Sequence, residues 1–163
     1  MIAVAVGVVE ELGRRGWSIG TAESLTGGLV CAALTDVPGA SAVVRGGVIA
    51  YATDVKASVL GVDAGLLAER GAVDPTVASQ LADGVTRLLG CEVGVGTTGV
   101  AGPEQVDGCP VGTVHVAVRT PEGIVVESLA LTGDRDEIRR ATVAAALDLV
   151  GRCLRNLRDV DVP

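Results

Sequence analysis

The sequence predicts an α/β protein, a single-domain three-layer α/β/α sandwich built on a mixed sheet, and three observations predict it. Short apolar runs alternate with longer stretches of helical period along the chain. One pair of runs, Val111 to Arg119 and Ile124 to Leu131, flanks Thr120-Pro-Glu-Gly123 and reads as an antiparallel hairpin. The 163 residues suit one domain over 1–163, and 48% hydrophobic content supplies an aliphatic core, with no Phe, one Tyr and one Trp.

Each element has a local reason. An opening helix covers Ile2 to Arg15 and ends at Gly16, a residue suited to a helix C-terminus. A strand from Trp17 to Thr21 is followed by a helix from Thr26 to Asp36, then by the turn Pro38-Gly39-Ala40-Ser41. Gly47 to Tyr51 reads as a short buried strand, and Thr53 begins a helix stopped by Gly61. Helices from Asp63 to Glu69 and from Pro75 to Leu89 come next, with Pro75 in the first turn, where its missing N–H costs nothing. Cys91 to Thr97 is a strand, Thr98 to Pro110 a Gly/Pro-rich loop, and the hairpin follows. The last helix runs from Asp134 to Leu157, with Ile138, Ala141, Ala145, Leu149, Cys153 and Leu157 along one stripe.

Composition excludes several classes of function. A net charge of −7 with dispersed Lys and Arg argues against nucleic acid as a partner, although one local cation would suffice for a small anion. Cys31, Cys91, Cys109 and Cys153 form no CxxC pair and read as reduced thiols of a cytosolic protein. No basic region precedes the apolar start and Glu10-Glu11 follow it, so neither a signal peptide nor a membrane span is expected, and the expected location is cytoplasmic. The single histidine, His115, falls in an alternating strand run, which disfavours both a Ser-His-Asp triad and a zinc site. Aliphatic surface on the first and last helices is compatible with a homo-oligomer.

Chemistry concentrates in five places. Thr21-Ala-Glu-Ser-Leu-Thr-Gly-Gly28 puts hydroxyls, a carboxylate and two glycines at a strand-to-helix junction. Such a helix start can dock an anion on free backbone N–H groups, or Ser24 or Thr26 can simply cap it while Glu23 is solvated. Gly94-Val-Gly-Thr-Thr-Gly99 matches GxGxxG, but Val100-Ala-Gly-Pro103 blocks the helix that a dinucleotide fingerprint must open. A loop at the carboxyl end of a strand fits better, with Thr97 and Thr98 hydroxyls and bare backbone at Gly99 and Gly102. Lys56 sits in the first turn of a helix, where the dipole disfavours a cation and favours the neutral amine of a general base, and Tyr51 lies near it. Read alone, the pair fits a surface lysine and an edge tyrosine better. Ser41 on the Pro38-Gly39 turn is a nucleophile candidate needing a lysine base, or else a turn residue. Arg135 and Arg139 begin the last helix behind an Asp134/Glu137 capping-box pattern and face either a phosphate or carboxylates.

The ordered motifs TAESLTGG, VPGAS, GGVIAYATDVK, GAVD, TTGVAGP, PVGTVHVAV and TGDRDEIR resemble the CinA C-terminal-domain family, also called PncC, over essentially the whole chain. The chain is similar to the stand-alone form of that family. Departures are Leu25, where Cys is frequent, and Ala52-Thr53-Asp54 in place of Ser-Asn-Glu. The resemblance implies hydrolysis of the nicotinamide mononucleotide carboxamide to nicotinate mononucleotide and ammonia, in pyridine nucleotide recycling, with no metal or organic cofactor. It implies Ser41 as nucleophile, Lys56 as its base and Tyr51 beside them, with Ser24, Thr26, Thr98 and Arg135 lining the pocket. The expected phosphate site is the helix start at Gly27 and Gly28, helped by Arg135, and Gly99 belongs to the expected substrate contacts. The expected partner is therefore a small phosphorylated substrate. A non-catalytic nucleotide-binding or regulatory module, and a hydrolase of another small amide, are the competing readings.

Overall fold

The computed structural model describes residues 2–157. The elements are α1 (Ile2–Arg15), β1 (Ile19–Glu23), α2 (Leu29–Thr35), β2 (Val44–Ile49), α3 (Thr53–Leu60), α4 (Ala64–Arg70), α5 (Pro75–Leu89), β3 (Val93–Gly99), β4 (Thr113–Thr120), β5 (Gly123–Ala130) and α6 (Arg135–Asn156), with a short 3-10 turn at Ala40–Ala42. The five strands form one mixed sheet in the order β2-β1-β3-β4-β5. β2, β1 and β3 run parallel, and β4 and β5 return antiparallel, as the hairpin in the sequence requires.

The two faces are covered differently. One face carries α1, α2 and α6 over a core that includes Leu12, Ile19, Val30, Val93, Val116, Ile138 and Leu147. The other carries α3, α4 and α5 over Leu60, Leu67, Val77, Leu81 and Val85. β1 is buried along its whole length, as an inner strand between two helical layers must be. The buried face of α6 is wider than the expected stripe: Thr142, Val143, Ala146 and Val150 are inside, while Ala141 and Ala145 are half-buried.

Glycine sets how closely α5 approaches the sheet. A Cβ on Gly94 would collide with the Ala82 carbonyl, and one on Gly96 with the Ala78 carbonyl and the Leu81 side chain. Gly94 and Gly96 of the GxGxxG pattern are thus accounted for by a helix lying directly on bare strand backbone, and Gly99 by the close approach of Thr113 and Val114 on β4. From the helix side, Gly84 lets α5 press against the Leu60 carbonyl at the end of α3.

Boundaries depart from expectation at three strands. β1 and β3 each run two residues further, to Glu23 and Gly99, while β2 begins and ends earlier than Gly47 to Tyr51. β2 starts early because Gly46, at φ 142, absorbs a register irregularity against β1. The carboxyl ends of the three parallel strands therefore meet at one edge of the sheet, where open α/β sheets bind ligands. No helix among the described residues is long and apolar enough to cross a membrane. Gly96→Val should lower stability by about 1–3 kcal/mol through overpacking against α5, read as a reduced urea midpoint at an unchanged slope.

Candidate active site

At that edge a cleft of about 280 Å³ gathers Ser24, Tyr51, Lys56, Thr98, Gly99, Glu104, Asp107 and Arg135 with apolar wall residues. Depressions of about 320 and 460 Å³ beside α6 carry no buried amine, imidazole or carboxylate.

Glu23 organises the floor. Its side chain is 1% exposed. Oε2 accepts the Gly28 and Val30 N–H groups at 2.9 and 3.0 Å, and Oε1 accepts the Cys31 N–H at 2.8 Å and the Thr21 hydroxyl at 3.0 Å. The start of α2 is thus neutralised by the chain's own carboxylate, the group that an external phosphate would have replaced. This corrects the expectation that Gly27 and Gly28 hold a phosphate: Gly28 is the N-cap in a left-handed conformation, and its N–H is taken. It also corrects the solvated Glu23 and the capping roles of Ser24 and Thr26. Thr26 is fully buried, its hydroxyl 2.8 Å from that of Thr97, and it does not line the cleft.

The turn that Glu23 closes leaves Ser24 against the cleft. Ser24 is 8% exposed, and its hydroxyl bonds to no group among the described residues. Arg139, expected near a phosphate or a carboxylate, instead donates to the Leu25 and Thr26 carbonyls at 2.9 and 3.1 Å, tying this turn to α6.

Lys56 is 1% exposed, and its Nζ donates to the Ala50 and Tyr51 carbonyls at 2.8 and 3.0 Å. No carboxylate among the described residues pairs with it. Burial pushes its pKa below the ordinary lysine value, toward the neutral amine. A neutral amine has two N–H groups and one lone pair, so two carbonyl partners leave the lone pair unengaged on a residue that lines the cleft. The Tyr51 ring is 60% exposed, and its phenol oxygen accepts from Arg135 Nη2 at 3.0 Å. Arg135 Nη1 donates to the Gly102 carbonyl at 2.7 Å, so this cation bridges two walls through neutral acceptors. The Thr98 hydroxyl is engaged with the Ala72 carbonyl at 2.7 Å.

Ser41 does not join this group. It is exposed on the 3-10 turn before β2, in a separate groove with Cys31, Thr35, Pro38 and Arg45. Lys56 lies beyond the other end of that six-residue strand, a rise of roughly 20 Å. Within one chain the expected Ser41–Lys56 pair is not formed. His115 is a buried strand residue, its Nδ1 2.8 Å from the Ser128 hydroxyl, and burial lowers its pKa while the Asp74 charge raises it. All four cysteines are free thiols, two buried and two half-buried. No group of three or more metal-ligating side chains stands together among the described residues.

Two cleft residues escaped the sequence reading, Glu104 and Asp107. The only signal was two carboxylates inside a Gly/Pro-rich loop, and nothing local says which way such a loop folds. The structure folds it over the cleft, with Asp107 accepting the Ala72 N–H at 3.2 Å.

Fold and site together define a three-layer α/β/α protein with a buried, carboxylate-free lysine and an open serine at the carboxyl edge of its parallel strands. A family model described as the CinA C-terminal domain matches residues 2–154, and the chain belongs to that family. It is 53% identical over 150 residues to a CinA-like protein of Frankia casuarinae, covering 92% of this chain and 35% of the relative. A CinA-like protein of Anaeromyxobacter sp. (strain K) is 50% identical over 149 residues, with 91% and 36% covered. The chain thus spans about a third of the length of the curated relatives it matches. Among solved structures, a CinA superfamily protein from Klebsiella pneumoniae superposes with a TM-score of 0.92 at 32% identity, covering 96% of this chain and 98% of that one. The competence/damage inducible protein CihA from Agrobacterium tumefaciens gives 0.90 at 35% identity, with 95% of each covered.

Removing the Glu23 carboxylate would strand the Val30 N–H, which is buried, and the half-buried Gly28 and Cys31 N–H groups. Glu23→Ala should cost about 3 kcal/mol of stability by chemical denaturation, and a loss below about 0.5 kcal/mol would show that water replaces it freely.

Proposed function

We propose that this chain is a nicotinamide mononucleotide amidohydrolase, a linear-amide C–N hydrolase that converts the ring carboxamide to a carboxylate and releases ammonia in pyridine nucleotide recycling. The observation that carries the reading is Lys56, an amine held in the neutral direction by burial and fixed by two carbonyls, which lines the same cleft as an unbonded serine hydroxyl. Family membership supports it, and the reaction needs no metal or organic cofactor.

The attacking group is Ser24, the serine that shares the cleft with Lys56. Lys56 Nζ takes the Ser24 proton as Oγ bonds to the carboxamide carbon. The carbonyl electrons move onto oxygen, where the Leu25 N–H, without an acceptor among the described residues, is a donor for the oxyanion. Collapse breaks the C–N bond while the Lys56 ammonium returns its proton to the departing nitrogen, so neutral ammonia leaves. Water then attacks the acyl-enzyme, and Lys56 passes the water's proton to Ser24 as the ester opens. Arg135, whose partners here are uncharged, is free to bind the phosphate, and Tyr51 orients it. Ser41, the nucleophile expected from the resemblance, could reach Lys56 only from a second copy of the chain.

The decisive experiment is ammonia release from nicotinamide mononucleotide, with free nicotinamide as a control. Lys56→Ala and Ser24→Ala should each lower kcat by at least ~10²-fold, while Ser41→Ala stays near the parent. Loss on Ser41→Ala with Ser24→Ala active would move the nucleophile to a partner copy. No release despite intact binding would leave a non-catalytic nucleotide-binding module. Because the neutral amine is the reactive form and burial lowers its pKa, kcat/KM should rise with pH through an ionisation centred below the ordinary lysine value of 10.5. A profile without that acid limb would remove Lys56 as the base.

A further inference from the structure

Resting on the mononucleotide reading, we propose that Glu104, seconded by Asp107, recognises the positive charge of the substrate's ring, so that the cleft selects a zwitterion over an uncharged carboxamide. When nicotinamide is joined to ribose through its ring nitrogen, that nitrogen carries a formal positive charge. The free base and the reduced, dihydro form of the mononucleotide do not carry it. The required ligand is therefore cationic at the ring and anionic at the phosphate, and its recognition needs charges of both signs on one cleft.

The cleft has them, and they are left available. Glu104 makes no ion pair or hydrogen bond among the described residues. Arg135 bonds only to the Tyr51 phenol and the Gly102 carbonyl, although Glu104 lines the same cleft. Several carboxylates elsewhere have an arginine partner, Glu11 with Arg14 and Arg15, Asp74 with Arg70 and Glu127 with Arg152, and Glu104 has none among the described residues. Asp107 is anchored by its bond to the Ala72 N–H, which fixes a second carboxylate on the same loop. An independent observation points to a ligand here: Ser24 is more than nine-tenths buried as a residue and lines the cleft, and its hydroxyl has no partner among the described residues. With a carboxamide at Ser24, the ring lies in the cleft between the reacting group and Arg135, where a carboxylate on the covering loop complements it.

The test is calorimetric binding in a Ser24→Ala background, with nicotinamide mononucleotide and its dihydro form as probes, plus ammonia release by the parent protein. The two probes share carboxamide, ribose and phosphate and differ in ring charge. Glu104→Gln should weaken the cationic probe about fivefold and Glu104→Lys by more, while the dihydro probe changes less than about twofold under Glu104→Gln. Equal shifts for both probes would assign Glu104 to loop structure and overturn the proposal. No shift for either would overturn it as well. Should the parent release ammonia while Glu104→Gln leaves both affinities unchanged, ring-charge recognition fails and the amidohydrolase stands. Binding that follows ring charge without any ammonia release would sink the amidohydrolase and keep the zwitterion site.

Discussion

The carboxylate of Glu23 lies under the first turn of α2, where three backbone N–H groups and the Thr21 hydroxyl converge on its two oxygens. A buried carboxylate is expensive unless every lone pair is used, and here the positive end of a helix and a hydroxyl use them. The consequence reaches past stability. With the helix start filled from within, the Ser24–Gly28 turn has one conformation, Ser24 is held against the cleft, and an external phosphate must find its counter-charge elsewhere. The next cation along the cleft is Arg135, at the first residue of α6 and behind a complete capping box. The capping box matters because Asp134 already satisfies the first N–H groups of α6, so Arg135 contributes its guanidinium and not a bare helix end.

Lys56 presents the opposite problem. A methionine of similar length would fill the same space without desolvating a charge, so packing alone gives no reason for lysine. Its amine persists because the Ala50 and Tyr51 carbonyls, at the exit of β2, accept its N–H groups. That arrangement holds the nitrogen in place and leaves it short of compensating negative charge, and both conditions favour the neutral amine that a base requires. The single histidine is spent on a bond to Ser128 within the sheet and does not line the cleft.

Helices, the hairpin and the layer arrangement were legible in the sequence because periodicity, Gly and Pro punctuation and capping residues are local signals. Pro75, Gly61 and the Asp134/Glu137 pair each ended up where their own stereochemistry puts them. What local signals misplaced were properties decided by distant packing. Gly94 and Gly96 match GxGxxG in sequence, and although Val100-Ala-Gly-Pro103 already spoke against a dinucleotide site, no local signal said that the atoms demanding their lack of a side chain belong to α5. Glu23 read as solvent-facing because its partners, five to eight residues on, exist only once Gly27 and Gly28 have turned the chain back. Tyr51, Lys56, Thr98 and Arg135 assembled from four separate segments, and their convergence follows from parallel strands ending at one edge.

Ser41 shows where that logic stops. A serine on a tight turn just ahead of a strand is at the strand's entrance, and ligands of open α/β sheets collect at the exits. Since β2 is parallel to β1 and β3, no rearrangement of loops within one chain brings its entrance to its exit. A second copy of the chain could do so, and edge-to-edge pairing is one route, because an antiparallel neighbour sets the start of one strand beside the end of another. β2 is the edge strand on that side, and its ladder with β1 is interrupted at Arg45 by the irregularity next to Gly46. Interruptions of this kind twist an edge away from further pairing. The strand geometry therefore favours the serine that already shares the cleft with Lys56.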